Sequence, residues 1–311
     1  MDANRLLPEV RKAVTRVPRL PFGRTGLNWL ARSFYNLAAS TKPLTGKVAV
    51  QDLDHNGRTH RIISPKEPPI TGAAALWFHG GGYLAGKPSH LDSLGSLLAN
   101  ELGVTFVAPQ YRLAPKHPYP AGLDDAEDSW RWLIEGGVGD IDPSRIAIGG
   151  NSAGAGLAAA LVHRLHDQGG PQPSAQVLFY PMLDDCVAAD RSLDEEDHFI
   201  WNNRQNYAAW SAYVTPHSPG SAAVPPEAAP ARRVDLSGLP PTWIGQCALD
   251  LFARENEAYA SRLSSSGVKC EVAVVEGAPH AFEVLVPGED VARAFVRSAV
   301  DFLRPYVSSD Q

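Results

Sequence analysis

Cysteine is scarce in this chain. Among 311 residues there are only Cys186, Cys247 and Cys270, far apart and without a C-x-x-C pair. That excludes a disulfide scaffold and suits free thiols in a reducing compartment, so a cytoplasmic location is expected. Long apolar runs are missing as well. No segment reaches the roughly 18 residues needed to cross a bilayer, which excludes an integral membrane segment. The opening MDANRLLPEVRKAVTRVPRL scatters charge through any would-be signal core, so no secretory signal is expected. Basic excess is lacking too: 28 Lys and Arg stand against 34 Asp and Glu, net −6, which argues against nucleic acid as a partner. What is present is a chain of one large domain or two average ones, long enough to bury a continuous core without staples.

The charge is uneven. Residues 1–47 hold nine Lys and Arg against Asp2 and Glu9, a surplus of seven that leaves the remainder at −13. Within that segment Leu6, Leu7, Val10, Val14 and Val17 recur at helical spacing, so an amphipathic helix is expected over 5–17, stopped by Pro18 and Pro21. Such a helix packs on the body with a solvated basic face; the alternative is a surface for membrane or lipid. From residue 47 short β-rich runs alternate with helical ones. Strands are expected at 47–53, 59–64, 73–79, 104–108, 145–149, 175–180, 242–247 and 271–276, and helices near 89–101, 121–135, 153–168, 251–266 and 289–304. The first two strands are joined by DHNGR (54–58), a hairpin-sized turn with Asn-Gly. The later ones are continuous apolar runs with helix-length connections. This is an α/β fold with a mostly parallel sheet and helices on both faces. Residues 184–240 break the alternation: polar, aromatic and Pro/Ala-rich, with no strand and one helix near 203–214. A structureless loop of that length is out of place in a compact domain, so an inserted helical lid is expected, with the strandless N-terminal segment joining it in one cap.

Three motifs carry chemistry. Gly150-Asn151-Ser152-Ala153-Gly154 is a G-x-S-x-G that follows a strand and opens a small-residue helix, the context in which a sharp turn lifts a serine hydroxyl above the sheet. Read structurally it is only a capped helix start; the Rossmann-like Gly154-x-Gly156-x-x-Ala159 lacks the acidic residue about 20 positions on. His79-Gly80-Gly81-Gly82-Tyr83 ends a buried strand in three glycines, an arrangement suited to presenting backbone N–H groups to an oxyanion. The N–H groups of Gly81 and Gly82, with that of Ala153, are the expected donors. A plain tight loop is the bland alternative, and a phosphate loop fails because Pro88 follows Gly86-Lys87. His79 then orients the loop. Asp250 and His280 follow the last two expected strands, in the order serine, acid, histidine. Glu255 and Glu257 fall in the next helix and are weaker acids; Asp184 and Asp185 come one strand early. His163, His166 and Asp167 have ligand-like spacing, but a polar outer helix face explains them, and no metal site is indicated.

With these residues in hand, the chain resembles the hormone-sensitive lipase family of α/β-hydrolases, bacterial carboxylesterases. The matching segments are HGGGY (79–83), YRLAPKHPYPAGLDDAEDSWRWL (111–133), GNSAG (150–154), YPMLDD (180–185), DLSGLPPTWIGQCALDLFARENEAYASRL (235–263) and APHAF (278–282). The resemblance implies an eight-stranded, mostly parallel sheet with an antiparallel second strand. It also implies a catalytic domain of 45–183 and 236–311 beneath a cap of 1–44 and 184–235. Ser152 would be the nucleophile, Asp250 the acid and His280 the base, acting without cofactor on small carboxylic esters of short to medium acyl chain. Tyr83, Asn151, Phe199, Trp201, Tyr207 and Trp210 are expected pocket walls, although the cap's aromatics could equally be its own core. Three departures stand out: Asn151 for the common Asp, Lys116 for Glu, and Ala281 for the Gly after the histidine. A lactone, carbamate or amide hydrolase would use the same triad. A non-catalytic receptor on this fold, as in the plant gibberellin receptors, would be expected to lose a triad member, and none is lost. Homodimers are common in the family; one sequence does not establish one.

Overall fold

The computed structural model of the chain describes residues 1–17, 28–39, 41–67 and 72–308. A 3-10 turn and helix α1 (Pro8–Val14) are followed by α2 (Asn28–Ala38), β1 (Val48–His55), β2 (Arg58–Pro65), β3 (Gly72–Phe78), α3 (Asp92–Leu102), β4 (Thr105–Pro109) and α4 (Ala121–Ile134). Next come β5 (Ile141–Asn151), α5 (Ala153–Gln168), β6 (Ala175–Phe179), α6 (Asp185–Ala189) and α7 (Asn203–Tyr213). The chain ends with β7 (Thr242–Cys247), α8 (Ala253–Ser265), β8 (Cys270–Val275), α9 (Phe282–Leu285) and α10 (Asp290–Val307).

The strands form one sheet in the order β1-β2-β4-β3-β5-β6-β7-β8, with β2 antiparallel to both neighbours and every other pair except those parallel. The β1–β2 hairpin closes at Asn56 and Gly57, both at positive φ (53° and 72°), the pair of left-handed residues a two-residue hairpin turn requires. Central strands β3, β4, β6 and β7 are buried almost end to end, as continuous apolar runs demand of a sheet covered on both faces. One apolar cluster unites α4, α5 and α8 on one face; α1, α3 and α10 share a second cluster on the other. β5 starts earlier than its apolar run, at Ile141, because a register shift between Gly72 and Ala74 lets Gly72 pair with Ile141.

The N-terminal helix is shorter than the expected 5–17. Pro8 takes the first helical position, where its missing N–H is harmless, so the α-helix starts there. Pro18 and Pro21, the expected stop, lie outside the described residues. Leu6, Val10 and Val14 are buried against the body, with Leu7 N–H donating to Gly277 O at 3.0 Å. Exposing three such side chains would cost about 5 kcal/mol, so the apolar face is committed to the protein and not to a membrane. Arg5, Lys12 and Arg16 remain exposed. No described helix is long and apolar enough to cross a membrane.

Residues 184–241 contain no strand. Asn202 and Gln205 form a reciprocal capping box that starts α7. Asp185, a rival acid from the sequence, instead pins this insertion: its fully buried carboxylate accepts from Arg232 at 2.6 and 2.9 Å and from Gly220 N–H at 2.7 Å. Asp184 caps α6 through Cys186 N–H. Arg232→Ala strands a buried carboxylate and is expected to lower stability by about 3–5 kcal/mol. The half-exposed Arg191–Asp194 pair should give less than about 1 kcal/mol on Arg191→Ala. Urea unfolding of both variants measures the contrast, and equal losses would contradict it.

Candidate active site

The site forms where β3, β5, β7 and β8 end. β5 delivers Ser152 with its backbone at φ 56° and ψ −121°, a conformation that costs a non-glycine residue about 1–3 kcal/mol. Surrounding bonds enforce it. Ser152 N–H donates to Phe179 O at 2.9 Å, while its carbonyl accepts from Ala155, Gly156 and Met182 N–H at 3.0, 3.0 and 3.2 Å. The flanking glycines are required by close passage: a β-carbon on Gly154 would meet Phe78 O at 2.1 Å, and one on Gly150 would meet Gly154 O at 2.3 Å.

The three groups named from the sequence meet. His280 Nδ1 lies 2.6 Å from Asp250 Oδ2, and His280 Nε2 lies 2.9 Å from Ser152 Oγ. Since a carboxylate only accepts, Nδ1 carries the proton and Nε2 accepts from the serine hydroxyl. Phe252 N–H holds the other Asp250 oxygen at 3.2 Å. All three residues are buried. Ala281, in place of glycine, takes the left-handed conformation at φ 56°.

The glycine loop passes directly over Ser152, since a β-carbon on Gly80 would sit 3.0 Å from Asn151 O and 3.3 Å from Ser152 Cβ. Gly81 and Gly82 have φ of 126° and 61°, and among the described residues neither N–H donates to a protein acceptor. Ala153 is the first residue of α5, so its N–H has no partner within the helix. His79 lies beneath the loop. Its Nδ1 donates to Gly80 O at 2.9 Å, its ring stacks on Tyr111 at 4.4 Å, and Tyr111 hydroxyl donates to His79 O at 2.7 Å. Burial pushes its pKa down to about 3, so it stays neutral and orients the loop.

The expected pocket walls divide. Trp201 lies over Gly82, where a β-carbon would meet its ring at 2.6 Å. Tyr83 stacks on Tyr213 at 3.8 Å with Trp210 beside it, all three buried. Phe199 packs on the opposite cluster, with α1 and α10. Tyr207 is 38% exposed beneath the Arg191 guanidinium, so it faces solvent. Asn151 has both amide ends engaged within the protein: Oδ1 accepts from Trp77 Nε1 at 2.8 Å and Nδ2 donates to Tyr180 hydroxyl at 2.9 Å. Of the other acids, Glu255 is buried and accepts from Leu183 and Asp184 N–H at 2.7 and 3.3 Å, while Glu257 is exposed. His163 corrects the sequence reading: it is not on a polar outer face but buried against Tyr259 hydroxyl at 2.8 Å, its pKa pushed down to about 3 by that burial.

One group escaped the sequence reading. Glu283, buried on α9, accepts a short hydrogen bond from Tyr180 hydroxyl, whose ring meets His280 edge-on at 4.7 Å. Burial pushes its carboxyl up to about 7, against the opposing pull of the Tyr180 bond and of His280. The available signals were an acid three residues after the histidine in an apolar run, and the Asn where the family has Asp.

Comparison with known proteins agrees with this geometry. The α/β-hydrolase fold family matches residues 75–284. An ethyl acetate hydrolase of Pseudomonas putida is 34% identical over 234 residues, covering 71% of this chain and 70% of its own. Among solved structures, a bacterial heroin esterase superposes with a TM-score of 0.89 at 29% identity, over 98% of this chain and 99% of its own. An esterase from the bacterial hormone-sensitive lipase family gives 0.82 at 28% identity, over 97% and 99%. This chain belongs to the α/β-hydrolases, in their hormone-sensitive lipase family.

The close passage at the elbow makes Gly154 intolerant of a methyl group. Gly154→Ala, placed against backbone oxygens that cannot move aside, is expected to lose about 1–3 kcal/mol, read from its unfolding midpoint. Gly267→Ala, with open space around it but φ at 79°, tests positive φ without the clash and should lose less.

Proposed function

We propose that the chain is a serine carboxylesterase for small esters of short to medium acyl chain, with Ser152 as nucleophile, His280 as base and Asp250 as the group that orients it. The observation that carries this is the continuous hydrogen-bonded line from Asp250 through His280 to Ser152 at the end of strand β5. Ser152 Oγ attacks the ester carbonyl while its proton passes to His280 Nε2. The negative charge on the tetrahedral oxygen is received by the N–H groups of Gly81, Gly82 and Ala153. Collapse breaks the bond to the alcohol, which leaves with the proton from His280, and the acyl group remains on Ser152. His280 then takes a proton from water as the resulting hydroxide attacks the acyl carbonyl; collapse breaks the bond to Ser152 Oγ, which recovers the proton from His280 Nε2, and the carboxylic acid departs.

Residues 45–183 and 236–311 form the catalytic domain in this reading, and 1–44 with 184–235 the cap. Trp201 over Gly82 and the buried Trp210 and Tyr83 support a small, dry site suited to soluble monomeric esters. The names of the ethyl acetate hydrolase and heroin esterase support ester over amide substrates. Three free thiols support a reducing, cytoplasmic setting. Among the described residues β8 stands at the edge of the sheet, with Val272 and Val274 at 44% and 49% exposure, which supports a homodimer.

Turnover of p-nitrophenyl esters should be highest from acetate to hexanoate and fall for longer chains. Ser152→Ala should lose at least about 1,000-fold in kcat and all labelling by a fluorophosphonate. Gly82→Ala, which displaces an oxyanion donor, should lose about 100-fold with the fold retained by circular dichroism. Undiminished turnover in Ser152→Ala overturns the mechanism.

A further inference from the structure

The polar chain behind the nucleophile has a fixed direction. Trp77 Nε1 can only donate, so Asn151 receives it on Oδ1 and must present Nδ2 to Tyr180. Tyr180 hydroxyl, having accepted from Asn151, has its one proton left for Glu283 Oε1. Among the described residues no protein group hydrogen-bonds the other oxygen, Oε2. The line therefore runs from the residue before Ser152 to an acid three residues after His280, tying the elbow to the histidine's own loop. Tyr180 lies between them, edge-on to the imidazole.

We propose that Glu283 is a positioning residue for the triad: through Tyr180 and Asn151 it locks the His280 loop to the Ser152 elbow, and its carboxylate favours the imidazolium that His280 becomes. Asn151 and Glu283 are a matched pair. A carboxylate at 151, as the family commonly has, would leave the single Tyr180 proton between two acceptors. The amide removes that conflict. Moving the acid to 151 and the amide to 283 would satisfy every group again, with the Tyr180 proton turned toward 151 and the amide donating from 283.

The groups that bear on Glu283 are few. Tyr180 and His280 face it directly, and the Cys247 thiol at the end of β7 feels its charge. The charged side chains of the helices packed on α9, Glu9, Arg11 and Lys12 of α1 and Asp290, Arg293, Arg297, Asp301 and Arg304 of α10, are exposed or half-exposed. Burial holds the carboxyl up at about 7, so its share of charge grows as pH rises through neutrality. A negative neighbour raises the basicity of an imidazole; its removal lowers it.

This inference rests on the esterase reading, so each variant is normalised to the active sites titrated by fluorophosphonate, which discounts misfolded chains. Glu283→Gln is expected to move the acid limb of kcat/KM down by about half a pH unit or more and to lower kcat at pH 8 about 3–10-fold, with KM changed less than about twofold. Asn151→Asp is expected to lose more than about 10-fold, and the double swap Asn151→Asp/Glu283→Gln to recover most of that loss. An acid limb unmoved in Glu283→Gln, or a double swap no better than Asn151→Asp alone, overturns the proposal. A wild-type chain that neither labels nor hydrolyses esters overturns the esterase reading instead.

Discussion

The backbone of Ser152 occupies a conformation that an L-residue adopts only when its surroundings leave no alternative, and the layout of the site follows from supplying those surroundings. The carbonyl of Ser152 is bonded three times, by Ala155, Gly156 and Met182, and its N–H reaches back to β6 at Phe179. These bonds require β5, β6 and the start of α5 to converge on one residue, which is possible only where parallel strands end beside a helix N-terminus. They also require bare backbone at 150 and 154, since any side chain there would collide with peptide oxygens. The strain is thus balanced by bonds spread over three elements, and the hydroxyl emerges where the loops after β3, β7 and β8 can reach it.

Burial then sorts the ionisable groups around that point. His79, beneath the glycine loop, has no acid beside it among the described residues, is driven neutral, and serves as a rigid spacer. His280 is also buried but has Asp250 at its Nδ1, so a positive charge formed there has a counter-charge already in place. Glu255 is also enclosed; burial pushes its carboxyl well up, and its bonds go to the backbone at 183 and 184. Of the enclosed carboxyls near the elbow, Asp250 alone holds both an imidazole and a backbone N–H. Burial is the leading cause at His79, Glu255 and Glu283, and the hydrogen bonds made to each oppose it.

Much of this was legible in the order of residues, for reasons that differ by element. The sheet was readable because buried parallel strands must be apolar throughout, and the turn at Asn56-Gly57 because few residue pairs tolerate two left-handed backbones. Ser152, Asp250 and His280 could be named because each follows a strand end at which a side chain projects over the sheet. Less legible was anything decided by neighbours distant in sequence. His163 looked like a solvated face because its helix neighbours His166 and Asp167 are polar, whereas Tyr259 on α8 encloses it. Asp185 looked like a spare acid because Arg232, which neutralises it, lies 47 positions on. The N-terminal helix began late because local proline chemistry outweighed the apolar period.

Asn151 shows why such gaps are systematic. From the sequence it is a small departure in a familiar motif, and a pocket role was a reasonable expectation beside Ser152. Its meaning lies in the direction of a hydrogen-bond chain set at one end by an indole that can only donate and at the other by a carboxylate. Neither end is near it in sequence: Trp77 is on β3 and Glu283 on α9. A periodic pattern reports which face of an element is apolar, but not which way a proton points between four buried side chains. The N-terminal segment has the same character. Leu7 bonds to Gly277 just before the histidine loop, and the Met1 amino group reaches Asp197 in the insertion at 3.0 Å. The first residues therefore tie down both the His280 loop and the 184–241 insertion, through backbone contacts that leave no mark on the choice of side chain.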